Sequence, residues 1–198
     1  MTNSVKNILI VGVGGQGVIL ASNILSEVAM MAGFDVKKNE AHGQSQRSGS
    51  VSSHVRYGKK VHSPVIRQGE ADLILAFEEL EALRWAHYLK PDGKIIINRQ
   101  RIYPPGVTSG IDKYPEDVVA ILLKEKVEVI EVKGMELANR IGNPLVISTI
   151  LLGMMSSFLK FSDKAWETAI GRLVPEKHKD LNLKAFQEGK GLVKRDAE

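Results

Sequence analysis

The feature that most limits the possible folds is a short apolar run, Asn7 to Val13, followed by a glycine loop and then at once by a long apolar segment. The loop is Gly12-Val13-Gly14-Gly15-Gln16-Gly17, and the segment runs from Gln16 to Ala32. A short apolar run bounded by glycines reads as a strand buried on both faces, the kind found in parallel sheets covered by helices. The segment 16–32, rich in Val, Ile, Leu, Ala and Met, predicts the covering helix, with Gly33 at its C-terminal cap. Phe34 to Glu40 fits a second strand, so the chain opens as a βαβ unit.

The pattern changes at Ala41. The stretch from there to Gly58, AHGQSQRSGSVSSHVRYG, is polar and rich in glycine and serine. Its latter half, Val51 to Tyr57, alternates apolar and polar, and Val61 to Ile66 follows a turn around Gly58. This predicts an antiparallel hairpin between those two runs. Asp72 to Phe77 returns to the buried-strand pattern. Glu78 to Lys90 reads as an amphipathic helix, Pro91-Asp92-Gly93-Lys94 as a turn and Ile95 to Ile97 as a core strand. Pro104 and Pro105 mark a loop, Pro115 the first turn of a short helix, and Val127 to Val132 another strand. From Met135 onward the pattern is helical, broken at Gly142-Asn143-Pro144 and at Pro175. The expected fold class is α/β: a Rossmann-like open sheet with a polar β-hairpin insert and a C-terminal helical layer. One domain is expected over 1–198, with the sheet in about 1–134 and the helices in 135–198.

Composition narrows the chemistry. The sequence has no cysteine, so it can form no disulfide and ligate no iron–sulfur cluster through cysteine. The five histidines have no metal-site spacing, and no G-x-x-x-x-G-K-[ST] loop occurs, which disfavours a P-loop nucleotidase. The longest apolar run, Leu145 to Leu159, falls short of the roughly 20 residues a membrane span needs. The N-terminus lacks the features of a signal peptide. A cytoplasmic protein is expected, with neither membrane nor nucleic acid among its partners. Net charge is +4, but between Lys37 and Arg67 seven basic residues face one acid, Glu40. Such a field suits a phosphate, a carboxylate or an acidic protein surface. The same lysines could equally guard a solvated sheet edge.

Two segments are candidates for function. In the glycine loop, Gly12, Gly14, Gly15, Gln16 and Gly17 stand where a tight turn lets backbone approach a ligand and a helix N-terminus offers N–H groups to an anion. The N–H groups of residues 14 to 17 are therefore expected to be open. Glu40 lies near where an acid would hold an NAD ribose, so a nucleotide-binding oxidoreductase or sensor is one reading. Simple packing of strand on helix is another. The second segment places His42, Gln44, Ser45, Gln46 and Arg47 after the second strand, at the carboxyl edge where open α/β sheets bind ligands. A solvent-facing turn is the plainer account.

Taken together, GVGGQGVILAS, VKKNEAHGQSQRSGSVSSHVRYG and SPVI resemble the gamma module of the 2-oxoacid:ferredoxin oxidoreductases, and the HGQSQRSGSV segment is most similar to the indolepyruvate branch. The likeness runs from Asn7 to about Leu159. Gln44 replaces the Met and Ser48 the Gly of the usual motif, and Ser148 stands where relatives often carry Asn. The resemblance implies oxidative decarboxylation of an aryl 2-oxo acid. Thiamine diphosphate with magnesium would supply the carbanion, iron–sulfur clusters the path to ferredoxin, and coenzyme A the acyl acceptor. The family's diphosphate and magnesium signature is missing from this sequence, as is cysteine. The resemblance therefore implies a larger partner subunit that carries those centres and reaches ferredoxin. This chain would bind no cofactor alone and contribute no catalytic residue. It would help close the site, or contact coenzyme A phosphates through the basic hairpin.

Overall fold

The computed structural model describes residues 4–42 and 49–195, with side chains to 192. Its strands are β1 (Lys6–Val13), β2 (Asp35–His42), β3 (Ser50–Gly58), β4 (Ala71–Ala76), β5 (Leu89–Asn98) and β6 (Glu128–Val132). They form a single mixed sheet in the order β2-β3-β1-β4-β5-β6. β1, β4, β5 and β6 are parallel neighbours, while β3 is antiparallel to both β1 and β2. The carboxyl ends of five strands and the start of β3 therefore share one edge.

Burial explains the order. From Asn7 to Val13, β1 is buried throughout, because successive side chains serve opposite faces. Ile8 and Ile10 join the core under α1 (Val18–Met31), α6 (Ile147–Ser156), α7 (Asp163–Leu173) and α8 (Lys179–Arg195). Leu9 and Val11 face the other side, under α2 (Glu79–Trp85), α4 (Val118–Lys124) and Ile66. The C-terminal helices thus cover the sheet directly, and Trp166 stacks on Phe186 at 5.6 Å beneath them. Two further helices, α3 (Pro105–Thr108) and α5 (Gly134–Ile141), follow β5 and β6. Among the described residues no helix is long and apolar enough to cross a membrane.

The α/β class, the glycine turn and the helical layer agree with expectation, but the hairpin does not. β3 pairs with β2, and residues 61–66 form no strand. Their polar backbone is satisfied by side chains. Val61 N–H donates to Asp35, Ile66 N–H donates to Nδ1 of His54, and Arg56 donates to the carbonyls of Ser63 and Val65. This strap covers a sheet face where a crossover helix would otherwise lie. The opening unit changes with it, because β3 is inserted between β1 and β2. The expected helix over 78–90 ends at Trp85 in a 3-10 turn, Ala86–Tyr88. The Pro91–Lys94 turn is a bulge within β5, with Asp92 at φ 62°. Pro105 opens α3 rather than a loop, and Asp117, accepting from Ala120 N–H at 3.0 Å, caps α4 in place of Pro115.

Candidate functional site

The glycine loop turns from β1 into α1 as expected, with Gly15 and Gly17 at positive φ of 94° and 90°. Two of its N–H groups are already used: Gly14 donates to Gly49 O at 2.9 Å and Gln16 to Val13 O at 3.1 Å. This corrects the expectation of four open groups. Gly12 is hemmed in, since a Cβ there would lie 2.9 Å from Gln16 Oε1, Phe77 Cβ and Val18 Cγ2. At Gly17 a Cβ would approach Ser148 Cβ at 3.0 Å, whereas at Gly15 it would meet nothing within 4 Å. Gly15 is the outward face of the loop; Gly12 and Gly17 let it pack.

Gln16 folds back into the protein. Its Oε1 accepts from Val13 N–H at 2.7 Å, and its Nε2 donates to Phe77 O at 3.0 Å and to Gln100 Oε1 at 3.1 Å. Asn98, fully buried at the end of β5, donates to the same two oxygens and accepts Gly134 N–H at 3.0 Å. Three carboxamides thus tie together the ends of β1, β4 and β5 and the first turn of α5. The sequence pattern names only Gln16 among them.

The next loops along this edge carry opposite charges. Three glutamates around the start of α2 are buried. Glu78 caps α2 by accepting from Glu81 N–H at 2.9 Å, and also accepts from Ile102 N–H at 3.0 Å and Tyr114 Oη at 2.6 Å. Glu81 accepts from the Ser50 hydroxyl and from Trp85 Nε1 and lies 3.3 Å from Arg84 Nε. Burial raises its pKa above the ordinary carboxylate value, against those hydrogen bonds. Burial and the bond to Glu78 likewise push the Tyr114 phenol upward. Glu79 accepts from Arg101 Nε and forms an ion pair with Arg99 Nε, each at 2.9 Å. A cleft of about 450 Å³ opens over that pair. A smaller one, about 220 Å³, lies between Val13, Ser50, Glu81 and Pro104. The oppositely charged runs EELEA after one parallel strand and NRQR after the next are the only hint of this meeting in the sequence, and no local pattern singles them out.

His42 is exposed at the end of β2; Gln44, Ser45, Gln46 and Arg47 lie outside the described residues. Glu40 pairs with Lys38. β3 separates it from β1 by two strand spacings, roughly 10 Å, whereas a ribose-binding acid should end the strand beside the glycine loop. The basic hairpin is also less open than its count suggests. Lys37 pairs with Asp35 at 3.3 Å, Lys38 meets Asn23 as well as Glu40, and Arg56 is held by Asn7 at 2.8 Å. Among the described residues no group of His, Asp and Glu could hold a metal.

Comparison with known proteins extends this picture over the whole chain. The family model described as pyruvate ferredoxin/flavodoxin oxidoreductase matches residues 7–192. The indolepyruvate oxidoreductase subunit IorB of Archaeoglobus fulgidus is 41% identical over 187 residues, 92% of each chain. That of Thermococcus kodakarensis is 38% identical, over 92% of this chain and 93% of its own. Among solved structures, the keto/oxoacid ferredoxin oxidoreductase gamma subunit of Geobacter sulfurreducens superposes with a TM-score of 0.70 and 25% identity. The match covers 95% of this chain and 99% of that one. A 2-oxoglutarate:ferredoxin oxidoreductase of Magnetococcus marinus, with 2-oxoglutarate, coenzyme A and succinyl-CoA bound, shares the fold at a TM-score of 0.76 and 19% identity. It covers 98% of this chain and 32% of its own.

Proposed function

Because this chain belongs to the pyruvate ferredoxin/flavodoxin oxidoreductase family, we propose that it is the small, gamma-type subunit of a 2-oxoacid:ferredoxin oxidoreductase acting on indolepyruvate or a related aryl pyruvate. The carrying observation is the 41% identity to an indolepyruvate oxidoreductase subunit across 92% of both chains. The nucleotide-binding alternative is not favoured, because β3 removes Glu40 from the place a ribose contact requires.

In this reading thiamine diphosphate with magnesium supplies the carbanion chemistry, and iron–sulfur clusters carry electrons to ferredoxin. Both belong to a larger partner subunit. The residues of this chain fit neither group: cysteine is absent, and the glutamates of the carboxyl edge are capped, bridged or hydrogen-bonded within the chain. The basic hairpin is a poor fit for coenzyme A phosphates, since Lys37, Lys38 and Arg56 are engaged internally. This chain's contribution is a rigid carboxyl edge, with Gly15 and His42 assigned to the surface that meets the partner, a role proposed also for Gln44, Ser45, Gln46 and Arg47. Positions 1–134 and 135–198 act as one unit in this assignment.

The test is reconstitution. Purified alone, the chain should be colourless and give no turnover with indolepyruvate, coenzyme A and a viologen acceptor, while addition of the cluster-bearing subunit should give turnover. Turnover by the chain alone would overturn the reading. Within the complex, Arg47→Ala should lower turnover and leave the melting temperature of the subunit nearly unchanged. Arg47→Lys should recover only part, because lysine lacks the planar two-pronged donor.

A further inference from the structure

Charge is distributed differently at the two ends of the sheet. At the carboxyl edge the cleft over Glu79 is balanced: Arg99 and Arg101 face Glu79 and Glu131, and Lys133 faces Glu136. The amino edge, where β1, β2, β4 and β5 begin and β3 ends, is not. Asp35, at the start of β2, sits between Lys37 at 3.3 Å and Lys60 at 4.0 Å, with the exposed Lys59 beside them. Asp72, near the start of β4, likewise lies between Lys6 and Lys90. Each acid therefore serves two lysines and neutralises only one.

Arg56 adds a further charge. Its guanidinium donates to Asn7 Oδ1 at 2.8 Å and to the carbonyls of Ser63 and Val65 at 3.0 and 3.1 Å. These neutral acceptors satisfy its N–H groups and leave its charge whole. Arg67 and Glu70 close the strap in a turn and offset each other. The surface is continuous, because Asn7 also donates to Asp72 and to the carbonyl of Glu70. With the exposed Asp92 included, seven cations meet four acids along this edge, a surplus of three within a chain whose net charge is +4.

We propose that this amino edge docks an acidic protein, whose carboxylates enter among the lysines and whose apolar side chain meets Val65. Val65 is 47% exposed, and its backbone is pinned by Arg56 at the carbonyl and by Ser63 Oγ at the N–H. A fixed apolar contact inside a charged rim is the layout of a protein interface. The surplus of one sign steers an oppositely charged surface towards it. A second copy of this chain is the wrong occupant, because a two-fold contact would set like charges face to face. Protection of the sheet edge does not account for the pattern either. Such lysines belong on an outer strand, whereas Lys6, Arg56 and Lys90 lie on β1, β3 and β5, inside the sheet.

The test uses the full chain without any larger subunit, so it stands or falls apart from the subunit reading. The probe is a labelled peptide of glutamates around one leucine, titrated by fluorescence anisotropy. It should bind saturably at low salt and weaken steeply as salt is raised. Lys59→Gln together with Lys60→Gln should weaken binding roughly three- to ten-fold, the range for two exposed ion pairs. Val65→Ser should weaken it at every salt concentration. Lys164→Gln together with Lys184→Gln removes the same charge from exposed positions on α7 and α8 and should leave the affinity unchanged. Equal weakening by the two lysine pairs would mean that net charge alone attracts the peptide, and would overturn the proposal. So would an affinity unmoved by Val65→Ser, or tighter binding of an oligonucleotide or of anionic phospholipid vesicles than of the peptide.

Discussion

Gln16 and Asn98 donate to the same two oxygens: the carbonyl of Phe77 and Oε1 of Gln100 each accept one N–H from both amides, at 3.0 and 3.1 Å. A carboxamide nitrogen has two hydrogens and an sp² oxygen two lone pairs, so the four bonds close with nothing left over. This also fixes the orientation of all three amides. Turning any one over would set N–H against N–H.

Gln16→Ala should therefore be costly at a loop position. It removes the acceptor of Val13 N–H and half the donors to Phe77 O and Gln100 Oε1. A loss of about 1–3 kcal/mol is expected, the range for leaving buried polar groups unpaired. Urea unfolding measures it, and a loss under about 0.5 kcal/mol would assign the amide to solvent. Gln16→Glu should cost more, because a carboxylate would face two acceptor oxygens.

A second close approach joins α6 and α8. A Cβ on Gly153 would lie 2.1 Å from Phe186 O, and one on Gly189 would lie 2.0 Å from Ile150 O. Each helix needs the other's glycine. Gly153→Ala and Gly189→Ala should each destabilise the fold by about 1–3 kcal/mol through forced backbone separation. Gly191, also on α8, has nothing within 4 Å of its Cβ position. Gly191→Ala should be neutral or stabilising by up to about 1 kcal/mol, since alanine is the better helix former. Equal melting temperatures for all three variants would refute the close-approach argument.

What the sequence made legible was what local pattern controls. The apolar runs at β1, β4 and β5 and the glycine turn could be read directly, because burial on both faces leaves no alternation to misread. The partner of β3 could not. Val61 to Ile66 alternates acceptably for a strand, and only the side chains of Asp35, His54 and Arg56 show that its backbone is satisfied elsewhere. The basic count between Lys37 and Arg67 misled for a related reason, since the neutralising Asp35 lies just outside that window. The amide cluster joins residues 84 positions apart, a separation that no local period reports. The Glu79 pair with Arg99 and Arg101 is hidden in the same way.

Two buried groups should give the protein opposing pH responses. Burial raises the pKa of Glu81 above its ordinary 4.5. The folded state thus holds that proton more tightly than the unfolded chain. The stability conferred is complete below 4.5 and is lost as pH rises through the raised value. Glu81→Gln keeps an oxygen for Ser50 and Trp85 and removes the titration. Urea midpoints from about pH 4 to 8 should show stability rising with pH between 4.5 and 6.5 in this variant. A profile parallel to the parent's would refute the assignment.

His54 works in the other direction. Burial first, and then Arg56, lower its pKa below 6.5, and its Nδ1 must stay unprotonated to accept Ile66 N–H at 3.2 Å. A histidine held neutral in the fold stabilises it above 6.5 and loses that contribution as pH falls through the lowered value. Because Glu81 instead gains stability as pH falls, the two responses oppose each other in the parent protein. Asp35 and Asp72, both shifted below 3.8, act only at lower pH. His54→Phe keeps a ring between Trp85 and Tyr88, now 6.2 and 5.8 Å from the imidazole, but leaves Ile66 N–H without its acceptor. The strap should loosen at a cost of about 1–3 kcal/mol, and the remaining Glu81 response should make stability fall as pH rises from 4.5 to 6.5. Proton NMR offers an independent check, since the His54 ring signals should titrate below pH 6.5. A His54 midpoint above 6.5, or a His54→Phe profile sloping upward with pH, would mean that the imidazole is not the buried acceptor holding the strap.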